Sequence, residues 1–352
     1  MDTTSADTVS APIPFAVLGL GRMGRLYAET LRDRVSAARL AVAADPDPSA
    51  RAAFAAEHPG VRLVADPLDA LDGVDAVVIA TPTRTHHPLV IAAAGAGKAI
   101  FCEKPLALTV DDTRAAIDAV DAARVPLQVG FMRRFDAAYV RAKALIDAGS
   151  IGEPIVFKSV GRDPFCPRPE YADPVQSGGL IVDMAIHDFD LARWLMGREV
   201  ERVSAEGALL VCDDLRAVGD IDNASINLRF TGGALGHVEV SRNAFYGYDI
   251  RSEVLGTEGA LTIGQHQQTP VVMLDRQGAH HDVVPYLMER FGDAYRAQLD
   301  AFVTCLRDGS TPRVTGEDGL AALAIAVAST RSQRAGGQPM TVADVLSDTS
   351  DD

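Results

Sequence analysis

The sequence predicts an α/β protein with two domains: an N-terminal domain built on a doubly wound sheet, and a C-terminal α/β domain with a large open, mostly antiparallel sheet. At 352 residues, the chain is longer than a single hydrophobic core usually organises. Its first third alternates short apolar runs with helical patterns, which is typical of parallel strands covered on both faces. Beyond residue 130, strand patterns follow one another through glycine-rich turns, which favours an antiparallel sheet with one covered face.

The N-terminal domain is predicted at residues 13–130, with strands and helices in alternation. The strands are expected at Phe15–Leu18, Leu40–Ala44, Val61–Val64, Ala76–Ala80, Ala99–Cys102 and Leu127–Val129. The helices between them are expected at Arg22–Arg34, Pro48–Glu57, His87–Ala96 and Val110–Ala123. Ligands of such sheets bind at the carboxyl ends of the strands, so functional residues are expected in the loops that follow the strands.

The C-terminal domain is predicted at residues 131–345. Its first half is expected to hold a helix, a strand, a loop rich in proline and glycine and a second helix, at Phe135–Ala148, Pro154–Val160, Gly161–Gly179 and Ile181–Met196. Five further strands are expected at Val203–Val211, Ala224–Phe230, Ala234–Ser241, Arg251–Leu255 and Ala260–Ile263. Two helices are expected to close the domain, near Tyr286–Arg307 and Asp318–Ser332. Residues 1–12 are predicted to be a disordered tail and residues 346–352 an acidic tail.

Composition argues against several classes of partner. A formal net charge of −15 disfavours nucleic acid and anionic membranes. The first residues lack the apolar core of a signal peptide, and no apolar run is long enough to span a bilayer. The four cysteines include no Cys-x-x-Cys pair, a spacing that suits neither a zinc site nor a disulfide framework. We therefore expect reduced thiols and a cytoplasmic protein.

A glycine motif follows the first predicted strand and opens the first helix. Gly19, Gly21 and Gly24 enclose Arg22 and Met23 in the spacing Gly-x-Gly-x-x-Gly. In this context the motif indicates a Rossmann dinucleotide site, where the glycines permit a tight turn, close approach of the pyrophosphate and close helix–strand packing. The free N–H groups of the helix N-terminus then bind the phosphates.

An acidic residue completes the cofactor prediction. Asp45 follows the second predicted strand, at the distance from the glycine motif where a carboxylate binds the ribose hydroxyls. The same carboxylate repels a 2′-phosphate, so NAD is favoured over NADP.

Two more loops at the carboxyl edge are predicted to line the cofactor. Thr81, Pro82 and Thr83 follow the fourth strand and are expected beside the nicotinamide. His86 lies just beyond them and is expected either to contact the cofactor or to cap the next helix.

Two groups are candidates for proton and hydride chemistry. Glu103 and Lys104 follow the fifth strand, where Lys104 is either a partly desolvated, tuned lysine or an ordinary surface lysine. Asp183 and His187 are four residues apart on a predicted helix and so share a face. An aspartate beside a histidine can orient the imidazole as a general base. The alternatives are a buried structural pair or a metal site, and no third ligand lies nearby, so we expect no metal.

These features together resemble the Gfo/Idh/MocA oxidoreductases. Besides the glycine motif, Glu103-Lys104-Pro105 and the Asp183/His187 pair, the matching segments are QVGFMRRFD at residues 128–136, Ser177-Gly178-Gly179, DMAIHDFD at residues 183–190 and YGYD at residues 246–249. They are spread over nearly the whole chain, and their combination is specific for the family.

The resemblance implies a Rossmann domain followed by an α/β domain whose open sheet packs against a second subunit, commonly in a homotetramer. It implies catalytic roles for Lys104, Asp183 and His187, with Glu103 and Lys104 also beside the cofactor. Substrate contacts are implied for Arg134, Asp163, Tyr246 and Tyr286. The loop with Asp163 reads Gly-Arg-Asp-Pro where many relatives carry a serine or histidine, a change that can remove one substrate hydrogen bond.

The activity implied is NAD-dependent oxidation of a secondary hydroxyl of a cyclic polyol, with myo-inositol and its 2-keto product as the expected pair. In this hypothesis His187 removes the hydroxyl proton, Asp183 orients His187, and Lys104 stabilises charge on the reacting oxygen. The alternatives are another inositol isomer, a sugar intermediate, or a regulator that binds NAD or a sugar without turnover.

Overall fold

The computed structural model describes residues 11–348. The predicted tails therefore lie outside the described residues, except at their inner ends. Residues 11 and 12 are exposed, and the predicted acidic tail begins too early, because residues 346 and 347 belong to a helix that ends at Ser347.

The N-terminal domain is a six-stranded parallel sheet with helices on its faces, as predicted. The strands are β1 (Ile13–Leu18), β2 (Ala38–Ala44), β3 (Arg62–Val64), β4 (Ala76–Ile79), β5 (Ala99–Cys102) and β6 (Leu127–Val129). The helices are α1 (Arg22–Asp33), α2 (Pro48–Glu57), α3 (His86–Gly95) and α4 (Val110–Ala123). The sheet order β3-β2-β1-β4-β5-β6 reverses direction between β1 and β4, so their carboxyl ends form the crevice where ligands of this fold bind.

The C-terminal domain contains an open seven-stranded sheet. In chain order its helices and strands are α5 (Ala137–Asp147), β7 (Pro154–Arg162), α6 (Pro169–Ala172), α7 (Pro174–Ser177), α8 (Ile186–Met196), β8 (Val200–Ala208), β9 (Asn223–Phe230), β10 (Leu235–Ser241), β11 (Asp249–Gly256), β12 (Ala260–Ile263), β13 (Gln267–Asp275), β14 (Gly278–Val283), α9 (Leu287–Asp308), α10 (Gly316–Arg334), β15 (Met340–Thr341) and α11 (Val342–Ser347). The order is β12-β11-β7-β10-β9-β8-β15. Among the described strands of this sheet, only β7 and β10 pair in parallel, which confirms the mostly antiparallel sheet.

The two faces of this sheet differ in burial. On β7, Phe157 and Ser159 are buried, whereas Lys158 between them is exposed. Helices α8 and α10 pack on the sheet, and α10 also reaches the N-terminal domain, where it contacts α4 and β6. The opposite face is open, so one side of the sheet forms the core and the other carries polar and apolar side chains at the surface.

Several elements were not predicted. The loop at Gly161–Gly179 contains the one-turn helices α6 and α7, each with proline in its first turn, and such short helices leave no periodic apolar pattern. Strands β13 and β14 form a separate hairpin that is almost entirely exposed. Without a buried face, its strands lack the alternation by which the other strands were recognised.

The expectation of four reduced thiols is wrong for two of them. Cys166, after β7, and Cys212, after β8, form a disulfide with their Cα atoms 5.6 Å apart. They are 46 residues apart in sequence, so only the folding of two separate loops onto each other reveals the pairing. Cys102 and Cys305 are free and buried.

Between residues 11 and 348, no helix has both the length and the apolar character needed to cross a membrane. The same part of the chain contains no group of three or more histidine, cysteine or acidic side chains placed to hold a metal ion.

Candidate functional site

The glycine motif forms the turn between β1 and α1. A Cβ at Gly24 would lie 1.8 Å from the carbonyl oxygen of Gly19, so α1 can pack this closely only with glycine here. Gly19 itself has φ +92° and lies against Ala80, a conformation and contact that also favour glycine. A Cβ at Gly21 would meet no atom within 4 Å. Gly21 is also the N-cap of α1 and forms no side-chain cap, so the helix N-terminus faces open space, as phosphate binding requires.

Asp45 lies beside this turn, directly after β2. Its Oδ2 accepts the N–H of Leu20 at 2.7 Å and its Oδ1 accepts the N–H of Asp47 at 2.9 Å. Each carboxylate oxygen keeps a lone pair free, so the anchored carboxylate can still accept hydrogen bonds from ribose hydroxyls. The open turn and this carboxylate together fit NAD.

The first residues of α1 point in two directions. Met23 is partly buried against the core, whereas Arg22 Nη1 donates to the hydroxyl of Tyr286 at 2.8 Å. The ring of Phe165 packs on Tyr286, with centroids 4.9 Å apart. Arg22 therefore connects the cofactor turn to the predicted substrate residue Tyr286 across the two domains.

The loop after β4 is tied to the loop after β5 by a buried histidine. His86, the first residue of α3, is 1% exposed. Its Nδ1 lies 2.7 Å from the carbonyl oxygen of Pro105 and its Nε2 lies 2.8 Å from that of Thr81. Burial lowers the pKa of His86. The ring is thus enclosed by protein, and its hydrogen bond with the Thr81 carbonyl oxygen fixes the start of the loop Thr81-Pro82-Thr83. Direct contact between His86 and the cofactor stays a prediction.

Glu103 is buried beneath Lys104. Its carboxylate accepts a hydrogen bond from the Tyr27 hydroxyl and another, at 3.1 Å, from the backbone N–H of Lys104. Burial raises the pKa of Glu103, although both hydrogen bonds and the Lys104 charge oppose that rise. The side chain fixes the backbone from which Lys104 extends.

Lys104 reaches across to the C-terminal domain and binds Asp183. Its Nζ donates to the Asp183 carbonyl oxygen at 2.7 Å and to Oδ1 at 3.0 Å. An ammonium group has three donors, so one remains for a further acceptor. Lys104 is thus an interdomain residue and not the ordinary surface lysine considered above.

The predicted orientation of His187 by Asp183 is wrong. Residues Ile181–Ala185 form a π turn, and α8 begins only at Ile186. A π turn bonds residues five apart, so side chains four apart no longer stack as they do in an α-helix. Among the described residues, Asp183 forms side-chain hydrogen bonds with Lys104 and Arg242, not with His187.

His187 is half-buried and its Nδ1 has no hydrogen-bond partner in the described protein. The ring contacts Phe131 edge-on, with centroids 5.9 Å apart. Burial lowers its pKa well below the ordinary value, and the charges of Lys104 and Arg133 lower it further. The imidazole is therefore neutral at neutral pH, the state in which it can accept a proton.

Arg242 and Asp220 were missed by the sequence analysis. Arg242 is 2% exposed, and its Nη2 lies 3.4 Å from Asp183 Oδ2. Burial favours the neutral form of Asp183, but Lys104 and Arg242 outweigh it, so the pKa of Asp183 is lowered. The position of Arg242 directly after a strand was the available signal, but nothing in the sequence connects it to a residue 59 positions earlier.

Asp163 faces the same charges from the end of β7. Burial and the Asp183 carboxylate raise its pKa to about 6, although Arg242, Arg22 and Arg133 oppose the rise. Burial raises the pKa of Tyr286, and the Asp163 carboxylate raises it further. Asp163 and Tyr286 thus lie close enough to Asp183 for these groups to affect one another electrostatically, and their contacts with a substrate stay predictions.

The other two predicted substrate residues are engaged elsewhere. Arg134 is 8% exposed and binds Asp190 through Nε and Nη2, with Asp318 as a further acceptor. The Tyr246 hydroxyl donates to Asp249 and accepts from Arg162. Within residues 11–348, no hydrogen bond or ion pair joins either residue to Lys104, Asp183 or His187, and their substrate roles stay predictions.

Two family models match the chain in sequence. The oxidoreductase family's NAD-binding Rossmann fold matches residues 13–131, and the oxidoreductase family's C-terminal alpha/beta domain matches residues 143–342; both carry the label GFO_IDH_MocA.

Several known proteins are similar over almost the whole chain. A scyllo-inositol 2-dehydrogenase (NAD(+)) of Bacillus subtilis is 44% identical over 91% of this chain and 94% of its own length. A myo-inositol 2-dehydrogenase of Thermotoga maritima is 40% identical over 90% of this chain and 95% of its own. The crystal structure of scyllo-inositol dehydrogenase from Lactobacillus casei with bound NAD(H) and scyllo-inositol superposes with a TM-score of 0.89 at 29% identity, covering 94% of this chain and 99% of that one.

Proposed function

The chain belongs to the Gfo/Idh/MocA oxidoreductase family, and from that premise we propose that it is an NAD-dependent dehydrogenase that oxidises a ring hydroxyl of an inositol to the ketone. The observation that carries the proposal is the contact between Lys104 and Asp183. It places a cation with a free donor at the carboxyl edge of the Rossmann sheet, close to the neutral imidazole of His187.

The side chains divide the chemistry between them. His187 is the general base that takes the hydroxyl proton, because its lowered pKa keeps it neutral. Lys104 donates its remaining N–H to the reacting oxygen and stabilises the negative charge that develops there. Asp183 holds the Lys104 ammonium in place through two acceptors. When bound, NAD supplies the hydride acceptor, and it is held by the glycine turn and Asp45.

The polar character of the site suits a polyol. Asp163, Arg22 and Tyr286 offer a carboxyl, a guanidinium and a hydroxyl around the reacting groups. The Bacillus subtilis and Thermotoga maritima relatives act on scyllo-inositol and myo-inositol, respectively. These isomers differ in configuration at one carbon and give the same 2-keto product when that carbon is oxidised. We place both isomers among the substrates to be tested, with myo-inositol as the expectation from the sequence.

The test is NADH formation from NAD with myo-inositol, scyllo-inositol, chiro-inositol and glucose. Lys104→Met is expected to lower kcat by about 10²–10³-fold, the size of effect seen when one donor to a developing oxyanion is removed. Lys98→Met is the matched control. Lys98 lies before β5, as Lys104 lies after it, and its Nζ donates to the carbonyl oxygen of Val74, so this variant is expected to keep wild-type kcat.

Each outcome is decisive. Turnover with an inositol but not with glucose supports the proposal, and its loss in Lys104→Met but not in Lys98→Met assigns the donor. NAD binding without reduction by any polyol would favour a non-catalytic sensor instead. Turnover only with another sugar would keep the mechanism and replace the substrate.

We also propose that the enzyme is a cytoplasmic homotetramer, in which the Cys166–Cys212 disulfide is an exception to the reduced thiols usual in that compartment. The open face of the second sheet carries exposed Leu235 and Leu255, which flank Val156 in register. The same face presents the Lys158–Glu253 and Arg162–Glu239 ion pairs. A mixed apolar and charged surface of this kind is suited to a second copy of the chain, and light scattering would measure the assembly.

A further inference from the structure

Asp183 lies between two cations from different domains. Lys104 donates to its Oδ1 at 3.0 Å, and Arg242 Nη2 lies 3.4 Å from its Oδ2. Arg242 follows β10 and is almost fully buried. Lys104 comes from the Rossmann domain, and Arg242 comes from the sheet of the second domain. Each oxygen of the Asp183 carboxylate therefore faces a positive group from a different domain.

Arg242 is itself anchored by Asp220. Its Nη1 donates to Asp220 Oδ2 at 2.5 Å, and its backbone N–H donates to the carbonyl oxygen of Asp222 at 2.9 Å. Asp220 is 7% exposed, and its other oxygen accepts the N–H of Leu180 at 3.1 Å. Leu180 directly precedes the π turn that carries Asp183. The Asp220 carboxylate therefore fixes both Arg242 and the start of this turn.

The Ser177-Gly178-Gly179 segment makes room for this arrangement. Gly179 has φ +75°, and a Cβ there would lie 2.7 Å from Asp220 Oδ1. Only glycine combines this conformation with so close an approach of the carboxylate. The proposed mechanism gives the Ser177-Gly178-Gly179 motif no role. Its second glycine is explained by the close packing of the Asp220 carboxylate against the residues that lead into the π turn.

The electrostatic balance at Asp183 depends on Arg242. Lys104, Arg242 and Arg22 act on Asp183 as cations, and Asp163 faces it as a second carboxyl. His187 adds no charge when neutral. Asp220 offsets part of the Arg242 charge without contacting Asp183. Removing Arg242 would leave Asp183 and Asp163 with one cation fewer and with the uncompensated charge of Asp220 nearby.

We infer that Arg242, held by Asp220, is a positioning residue for the dehydrogenase reaction. It keeps Asp183 ionised and directed at Lys104, so that the Lys104 ammonium stays aimed at the reacting oxygen. This inference rests on the proposed function for its kinetic readout, but the charge state of Asp183 can be measured without turnover.

The experiment compares two variants that break the same ion pair. In the proposed reaction Asp183 must be ionised and His187 neutral, so protonation of either group contributes to the acid limb of kcat/KM. Arg242→Gln removes the cation beside Asp183, so the pKa of Asp183 is expected to rise and to move this limb to higher pH by about one unit, with kcat lowered by about tenfold or more. Asp220→Asn keeps an acceptor oxygen for Leu180 but leaves the Arg242 charge uncompensated, so the acid limb is expected to move to lower pH. Arg242→Lys, which keeps the charge, is expected to restore the wild-type limb.

A purely structural role predicts a different pattern. Both variants would then lower thermal stability and activity together, with the acid limb unmoved or moved in the same direction, and this result would overturn the inference. Arg290→Gln is the control, because Arg290 forms a partly buried ion pair with Asp136 and does not contact Asp183. It is expected to lower stability without moving the limb.

A second readout keeps the inference testable if either variant or the wild type lacks turnover. Infrared titration of the carboxyl stretch assigned to Asp183, by difference from Asp183→Asn, reports its ionisation directly. An Asp183 pKa that rises in Arg242→Gln and falls in Asp220→Asn supports the inference, and an unchanged pKa refutes it. An inactive wild type with these pKa shifts would contradict the proposed function alone.

Discussion

The glycine motif contains two positions that the structure separates by function, and substituting each with alanine tests that separation. In Gly24→Ala the new Cβ would lie 1.8 Å from the carbonyl oxygen of Gly19. Both partners belong to backbone, so no side-chain rotation relieves the clash and α1 must move away from β1. Overpacking of this kind costs about 1–3 kcal/mol, which lowers Tm by roughly 2–10 °C in a protein of this size.

Gly21→Ala is the matched control within the same turn. Its Cβ would meet no protein atom within 4 Å, so the loss of stability is expected to stay below about 1 kcal/mol, the usual range for an N-cap substitution. The methyl group would, however, fill the open space above the α1 N-terminus where a pyrophosphate must approach. NAD affinity is therefore expected to fall by about tenfold or more, equivalent to ~1.4 kcal/mol.

The assay measures Tm without NAD and the NAD dissociation constant by quenching of protein fluorescence. Gly24→Ala is expected to lose stability, and Gly21→Ala is expected to lose cofactor affinity at nearly unchanged Tm. Equal losses of Tm in the two variants would refute the distinction, as would an unchanged NAD affinity in Gly21→Ala.

Three further predictions concern the substrate side. His187→Ala is expected to lower kcat by about 10²–10⁴-fold if His187 is the general base, and an activity above a tenth of wild type would contradict that role. Asp163 has its pKa raised to about 6, so its protonated form stabilises the fold at low pH and this contribution is lost as pH rises through about 6. Asp163→Asn is therefore expected to raise Tm at pH 8 and leave it unchanged at pH 4, while substrate KM rises; a pH-independent change in Tm would argue against the shifted pKa. Cys166→Ser opens a disulfide between residues 46 apart and is expected to cost about 2–4 kcal/mol, and a dithiol reductant should lower the Tm of the wild type but not of this variant.

The Rossmann half of the fold was predictable because its signals are local. Buried parallel strands are continuous apolar runs, and several predicted ranges, such as Ala99–Cys102 and Val110–Ala123, agree with the structure to the residue. The helix after the glycine motif was placed within one residue. Each of these segments is determined by its own pattern and needs no knowledge of distant contacts.

The candidate site residues of the C-terminal domain were harder to predict. A regular α-helical period was assumed across a segment that forms a π turn. Asp183 and His187 were expected to share a helical face, but the π turn at Ile181–Ala185 separates them. That turn is held from outside, through the bond from Leu180 to Asp220. Nothing local in the sequence distinguishes a π turn from an α-helix here, so these two candidate residues were assigned an incorrect contact.

The position of Lys104 likewise depends on contacts between residues distant in sequence. Gln298 on α9 donates to the Tyr27 hydroxyl at 2.9 Å, Tyr27 donates to Glu103, and Glu103 accepts the backbone N–H of Lys104. A residue 271 positions after Tyr27 thus supports the loop that presents Lys104, the proposed catalytic cation. Since transfer between cofactor and substrate tolerates misplacement of only about 1 Å, the alignment of the two domains must be set by such packed, buried bonds. The Lys104–Asp183 contact is therefore a result of the whole interdomain packing, which explains why its residues can be recognised from motifs although their geometry cannot.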